Sequence, residues 1–462
     1  MSGAEPYRVA VVGAGPGGFY AAEALLRAGP DIRVDLFERL PVPYGLVRFG
    51  VAPDHPKLKQ VTAVFDRIAA MPGFRFCGGA SIGGAVPLEA LRAAYHAVIL
   101  ATGAPLGRAV GVPGEGLSGS HSASDFVGWY NGHPDHRHHR FDLSGERAVV
   151  VGHGNVALDV ARILLKTPDE LRHTDIAAHA LEALAESRIR EVQVVGRGGP
   201  AATRFSAKEL GEFGTLAECD PALVPGDVRA SAFDVPGDAD PERRMAIGLL
   251  AEFAQRRQAK PRSCVFRFHL EPRAIEGASH VERVVFHRVG SIAEDAQAVV
   301  IDCGLVLSSV GRRAQPVTGV PYDAARGIHA NRDGRILGAD GVLGGLYACG
   351  WCKRGPQGTI GTNRACASAT VEQVVADLPG LGPIDPDAAD DLLARIGRDN
   401  GVSIDFAAWK RIERLEVEAG RLAAKPREKL VSIAAMIEAA SPARDAACSA
   451  GADPLVARPD LP

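Results

Sequence analysis

Two stretches of the chain carry glycines at the spacing that binds a dinucleotide. In residues 9–23, VAVVGAGPGGFYAAE, an apolar run ends at Gly13, and Ala14, Gly15 and Gly18 precede a helical pattern. In residues 149–162, VVVGHGNVALDVAR, the same grammar returns as Gly152, His153, Gly154, Asn155, Val156 and Ala157. The first glycine of such a turn permits a tight bend and the second lets the backbone approach a pyrophosphate. The third position must be small so that helix packs closely on strand, and alanine is a permitted variant there. Free N–H groups and the positive dipole end of the following helix face the phosphates. Two such sites predict one resident and one visiting nucleotide, with electrons passing between them.

Residues at the strand ends give the two sites different chemistry. Glu38 closes the predicted strand 33–37, where a carboxylate accepts hydrogen bonds from ribose hydroxyls. The matching strand of the second motif, 191–195, instead runs into Gly196 and Arg197. A guanidinium binds a ribose 2′-phosphate that a carboxylate would repel, which favours NADP(H) over NAD(H).

Other reactive side chains are less specific. His55, in the Pro- and Gly-rich connection 41–57, reads either as a surface histidine at a helix start or as a polar group held near a ring cofactor. Asp159 lies on the apolar face of the second nucleotide helix, as a tied buried carboxylate or as part of a catalytic polar chain. His133, His136, His138 and His139 fall in the linker-like crossing 113–141. Metal binding there requires ligands on firm elements, so a solvated loop and no metal are expected. Cys349 and Cys352 imitate a CxxC redox pair, but in a predicted strand end rather than at the helix start that lowers a thiol pKa.

The elements that position these residues are those of an α/β protein. At 462 residues the chain exceeds one ordinary core, so several domains are expected. The near balance of 52 basic and 55 acidic residues argues against nucleic-acid binding. No apolar run reaches the roughly 20 residues of a membrane span. The first strand begins by Tyr7 or Arg8, without room for a presequence, so cytoplasmic residence with reduced thiols is expected. A strand over 97–101 runs into Thr102-Gly103-Ala104, a common mark of flavoproteins with two nucleotide sites. Helices are predicted over 57–71, 155–166, 241–262, 387–396, 405–419 and 427–439, and strands over 264–270, 281–288, 298–302 and 305–309. The tail from Ser441 has the composition of a disordered segment.

The stretches VVGAGPGGFYAAE, PVPYGLVRFGVAPDHPKLK, VVGHGNVALDVARILL, RFSAKEL and GWCKRGPQGTIGTN, collinear from about residue 7 to 437, resemble the adrenodoxin reductase family, including its bacterial ferredoxin–NADP reductases. The resemblance implies two Rossmann-like domains with central parallel sheets, flanking helices and small antiparallel sheets. An FAD domain (1–105 and 331–440) would enclose an inserted NADP domain (106–330), ahead of the tail 441–462. It implies FAD contacts at Ala14, Glu38, Leu46, Ile82, Trp351, Gly358, Thr359 and Ile360. It implies NADP contacts at Arg108, His153, Gly154, Asn155, Val156, Arg197, Glu209 and Gly358. His55 and Asp159 match the family's polar pair near the flavin. Arg243 and Arg244 fall where its basic patch receives an iron–sulfur partner.

The implied activity is hydride transfer from NADPH to FAD, then one-electron transfer to a ferredoxin-type protein. One departure weakens the choice of donor. The family has two adjacent arginines at the 2′-phosphate site, and here Arg197 is followed by Gly198. The alternatives are an NADH-preferring ferredoxin reductase and a dithiol-linked flavin reductase using Cys349 and Cys352.

Overall fold

A computed structural model describes residues 5–29, 31–228, 233, 239–289 and 298–441; the tail beyond Ser441 lies outside these residues. The strand Tyr7–Val12 is flanked in parallel by Ile32–Phe37 and Ala97–Leu100, and Val9, Ala10 and Val11 are fully buried. A continuous apolar strand of this kind needs cover on both faces, which helices supply. The sheet has seven strands in the order Asn331–Arg332, Arg335–Gly338, Gly341–Ala348, Ala97–Leu100, Tyr7–Val12, Ile32–Phe37, Phe74–Cys77. Its first two strands are antiparallel additions.

The second sheet is parallel throughout, in the order Ser120–Ser122, Leu305–Ser308, Arg147–Val151, Glu191–Val195, Arg262–Arg267, Cys219–Leu223. An antiparallel sheet of Leu270–Glu276, Arg283–Arg288 and Val299–Asp302 packs beside it. The chain leaves the first sheet after Ala97–Leu100 and rejoins that same strand at Gly341–Ala348. Its outgoing and returning segments pair antiparallel, Leu106–Gly107 with Arg312–Arg313.

Several elements differ from expectation for local reasons. The helix predicted over 57–71 is two, Pro56–Lys59 and Thr62–Ala69. The strand predicted over 264–270 ends at Arg267, and Leu270 opens another sheet, with His269 turning the corner in the left-handed region at φ 54. Cys219–Leu223 escaped prediction because Pro221 interrupts it, which an edge strand tolerates. The helix predicted over 427–439 begins only at Ile433.

The irregular connection 41–57 is held by side chains rather than by periodicity. The Tyr44 N–H donates to Ala14 O at 2.7 Å, and its hydroxyl bonds Asp66 and accepts from Trp409 Nε1. Arg48 makes a buried bidentate pair with Glu416 on the helix Phe406–Leu422.

The histidine-rich crossing is not the solvated loop its composition predicts. His133, His136 and His139 are partly buried, with His133 edge-on to His136 and His136 stacked on His139, and only His138 of the four is exposed.

Helix and strand of the first motif meet without room for a side chain at Gly18, where a Cβ would stand 1.9 Å from Gly13 O. Gly18→Ala should therefore overpack this contact by about 1–3 kcal/mol and lower the thermal midpoint by several degrees. An unchanged melting curve would rule out so close an approach.

Candidate active site

Two cradles open at the starts of the nucleotide helices. Gly13 (φ +108) and Gly152 (φ +136) make the bends, and a Cβ on either would meet backbone oxygen, of Ala101 at 2.6 Å and of Ser309 at 2.3 Å. Gly15 and Gly154, by contrast, have nothing within 4 Å of a Cβ position. Backbone is thus bare where a pyrophosphate must approach, at the N-termini of Pro16–Ala28 and Asn155–Leu165. The residues present fit a dinucleotide at each cradle.

The connection 41–57 starts at the first cradle, where Gly45 lies against Gly15, and ends beside the second helix. There Arg162, fully buried, holds Asp54 through Nε (2.7 Å) and Nη2 (3.0 Å). Its Nη2 also donates to Asp159 at 2.7 Å, and its Nε lies 3.4 Å from Glu212. Lys166 adds a second cation on Asp54 at 2.7 Å. His55 Nε2 bonds Glu212 at 3.0 Å, while Nδ1 faces Asp159 at 3.9 Å.

This network sets the charge states. Burial opposes a charged His55 ring, but the hydrogen bond to Glu212, with Asp159 and Asp54 nearby, outweighs it and raises the His55 pKa. Burial pushes Asp159 up to about 6 against the pull of Arg162. Glu212 is held below the usual carboxylate range, because the bonds from His55 and Arg162 exceed its burial penalty. A folded His55 pKa above the unfolded value means this interaction stabilises fully below about pH 6.5 and fades as pH rises through the folded value. His55 is thus raised by its carboxylate neighbours and Asp159 by its burial, two shifts that favour the protonated form of each group.

The remaining candidates divide by what their side chains do. Glu38 accepts from the N–H groups of Ala14 (2.9 Å) and Leu40 (3.1 Å), leaving carboxylate lone pairs for a ribose. Leu46 starts a single helical turn, and Ile82 packs in an apolar cluster with Val86 and Leu88. Asn155 Oδ1 accepts from Ser206 N at 2.8 Å and Glu209 bonds Ser206 Oγ at 2.9 Å, fixing the RFSAKEL run over the second cradle. The His153 ring turns inward between Phe205 and Phe268, and burial lowers its pKa to about 4, so its backbone rather than its ring faces a ligand. Arg108 spends its guanidinium on the carbonyls of Arg312 and Arg326. Arg197 is 80% exposed, with only Glu271 at 4.0 Å. Trp351, at the start of a one-turn helix, donates to Gln357 O, and Gly358, Thr359 and Ile360 lead into the helix Thr362–Asp377. Gly350 packs on Gly17, which brings this C-terminal loop to the first cradle.

Cys349 and Cys352 are fully buried and do not face each other as a dithiol. Cys352 Sγ donates to the carbonyls of Leu100 and Cys349, and Cys349 Sγ donates to the carbonyl of Gly17.

Sequence reasoning missed Asp54, Arg162 and Glu212. Arg162 had a local signal, an arginine three residues after Asp159 on an apolar helix. Glu212 had none, since 157 residues separate it from His55.

Comparison with known proteins agrees with this geometry. A model of the pyridine nucleotide-disulphide oxidoreductases matches residues 7–195. NADPH:adrenodoxin oxidoreductase, mitochondrial, of Salvelinus fontinalis is 39% identical, over 94% of this chain and 91% of its own length. The chain belongs to the adrenodoxin reductase family. Another member, NADPH-ferredoxin reductase FprA of Mycobacterium leprae, is 39% identical over 93% of this chain and 98% of its own. Mycobacterium tuberculosis FprA in complex with NADPH superposes at a TM-score of 0.89, with 40% identity, over 94% of this chain and 99% of that one. Among the described residues no helix is long and apolar enough to cross a membrane.

Glu212→Gln keeps the shape of this family site but removes the charge that raises His55. Burial and Arg162 remain, so the His55 pKa should drop below the ordinary histidine value in an NMR titration. A value that stays raised would transfer the effect to Asp159.

Proposed function

We infer that this chain is a flavoprotein NADPH–ferredoxin reductase, with FAD resident at Gly13–Gly18 and NADP(H) visiting at Gly152–Ala157. The observation that carries this reading is the connection 41–57, which begins against the first cradle and ends in the Asp54–Arg162 pair on the second nucleotide helix. When bound, FAD supplies the conversion of a two-electron hydride into single electrons for an iron–sulfur partner.

The chain's own residues bind and orient. The Gly13–Gly18 turn and Glu38 hold the resident nucleotide, and the loop of Trp351, Gly358, Thr359 and Ile360 closes over it. The Gly152–Ala157 turn receives the visitor's pyrophosphate, Arg197 its 2′-phosphate. His55, held by Glu212, and Asp159, held by Arg162 on the visitor's helix, are the groups that can hold a proton beside the site.

The division into a discontinuous FAD domain, 1–105 with 331–440, and an NADP domain, 106–330, is part of this reading. It is supported by the paired crossings at Leu106–Gly107 and Arg312–Arg313. Docking of the ferredoxin on a basic surface including Arg243 and Arg244 is supported by their place side by side at the start of the helix Pro241–Gln255. Cytoplasmic residence is supported by the free thiols of the described cysteines.

The reading is tested by anaerobic flavin reduction followed in a stopped-flow instrument, then by NADPH-dependent reduction of a ferredoxin. NADPH should reduce the flavin at lower concentration than NADH. Arg197→Ala should weaken NADPH binding by about 10–100-fold, the worth of one charged hydrogen bond, and leave NADH unaffected. Equal losses for both donors would remove Arg197 from the 2′-phosphate site.

A further inference from the structure

The histidine-rich crossing forms a side-chain cluster that the electron path does not use. After the helix Ala123–Tyr130 the backbone winds in tight turns, with His136 N bonded to His133 O and His139 N to His136 O. Bonds of this i→i+3 kind eclipse side chains three residues apart. The rings of His133, His136 and His139 accordingly form a column, with centroids 5.0 Å and 5.4 Å apart.

Asp125, from the first turn of the helix, points into this column. The helix leaves room for the middle ring at Gly128, where a Cβ would fall 2.4 Å from His136 Cδ2. His136 Nδ1 is buried and makes no hydrogen bond, and it lies 3.5 Å from Asp125 Oδ1. One ligand atom from each of Asp125, His136 and His139 falls within 4.8 Å of the others.

From these positions we propose that Asp125, His136 and His139 form a binding site for a divalent ion of the zinc class. Two imidazole nitrogens and one carboxylate oxygen are a ligand set that zinc accepts, with a fourth position for water. The 3.5 Å between His136 Nδ1 and Asp125 Oδ1 is close to the edge of a tetrahedron with bonds of about 2.1 Å, roughly 3.4 Å. His139 closes the third corner by a small rotation of a side chain on a half-buried turn. Asp125 sits on a firm helix, which supplies the element that the loop alone lacks.

The ion would clip the crossing to the helix. The same crossing carries Asp135, which pairs with Arg39 next to Glu38 of the first cradle. Metal binding would therefore stiffen a contact between the two sheets without touching either nucleotide site.

A second group of potential ligands, Asp54, His55 and Glu212, lies within similar distances. Arg162 and Lys166 already neutralise its carboxylates, so a cation is disfavoured there.

The test is titration of the flavin-containing enzyme, stripped of metal with a chelator, by cobalt(II). One equivalent should produce the ligand-field bands of tetrahedral cobalt at the red end, clear of flavin absorption, and zinc should bleach them. Asp125→Asn and His139→Ala should each abolish the bands while retaining the wild-type thermal midpoint without metal. Glu212→Gln should keep them. Absence of a saturable band would overturn the assignment. So would a band that survives both Asp125→Asn and His139→Ala, or one lost in Glu212→Gln instead.

Discussion

One guanidinium holds the two halves of the molecule in register. Arg162 is fully buried, and removing its charge from water costs several kcal/mol before any partner is counted. Asp54, Asp159 and Glu212 offset that cost, and they come from three different places: the connection 41–57, the second nucleotide helix, and the helix Ala207–Glu212. Removing one partner of such a cluster strands the others in low dielectric, at about 3–5 kcal/mol. The pairing of the two sheets' surroundings is therefore coupled to the state of the site. A connection with only a single helical turn, Leu46–Phe49, before its end can cross from one nucleotide cradle to the other because its far end terminates in this ion pair. Its near end is tied by Tyr44 to Ala14, and its middle by Arg48 to Glu416.

The same guanidinium decides what the histidine and the carboxylates do. Burial and the Arg162 charge oppose protonation of His55, which stays raised because Glu212 bonds the ring directly and Asp159 and Asp54 add to it. Asp159 receives Arg162 as well, yet burial dominates and leaves it near 6. Both groups are thus raised, His55 by the carboxylates that face it and Asp159 by desolvation, and their facing atoms stand 3.9 Å apart.

What could be read in advance followed the range of the interaction. Both glycine turns and the parallel sheets were legible, because a glycine turn and a buried strand are specified within about thirty residues. The partner of His55 was not: Glu212 reaches the site through topology, 157 residues on, and nothing local marks it. The histidine crossing failed for a related reason. Its composition is that of a solvated loop, but Gly128 on the preceding helix opens a place for His136, and that space appears only when helix and turn are packed together. The spacing of Cys349 and Cys352 imitates a dithiol, whereas both sulfurs are buried and donate to backbone carbonyls, Cys349 to Gly17 and Cys352 to Leu100 and Cys349.

The lone arginine of the 2′-phosphate loop also has a packing explanation. Residues 196–199 are built to be bare except for Arg197. A Cβ at Gly196 would enter the His153 ring at 2.4 Å, one at Gly198 would stand 2.7 Å from the Ala202 methyl, and one at Gly199 would meet the His269 ring at 2.8 Å. His269 is itself fixed by its N–H bond to Gly198 O and by a left-handed backbone that turns the chain between two sheets. A second arginine at position 198 would therefore need the loop to move away from Ala202. The space beside Arg197 has been given to packing inward rather than to a second charge outward. On the proposed reading, selectivity for the phosphorylated donor rests on Arg197, an exposed guanidinium whose nearby carboxylate, Glu271, stands 4.0 Å away and is shared with His287. A phosphate bringing nearly two charges competes well against one shared carboxylate in water, so the arginine is available to the ligand when it arrives.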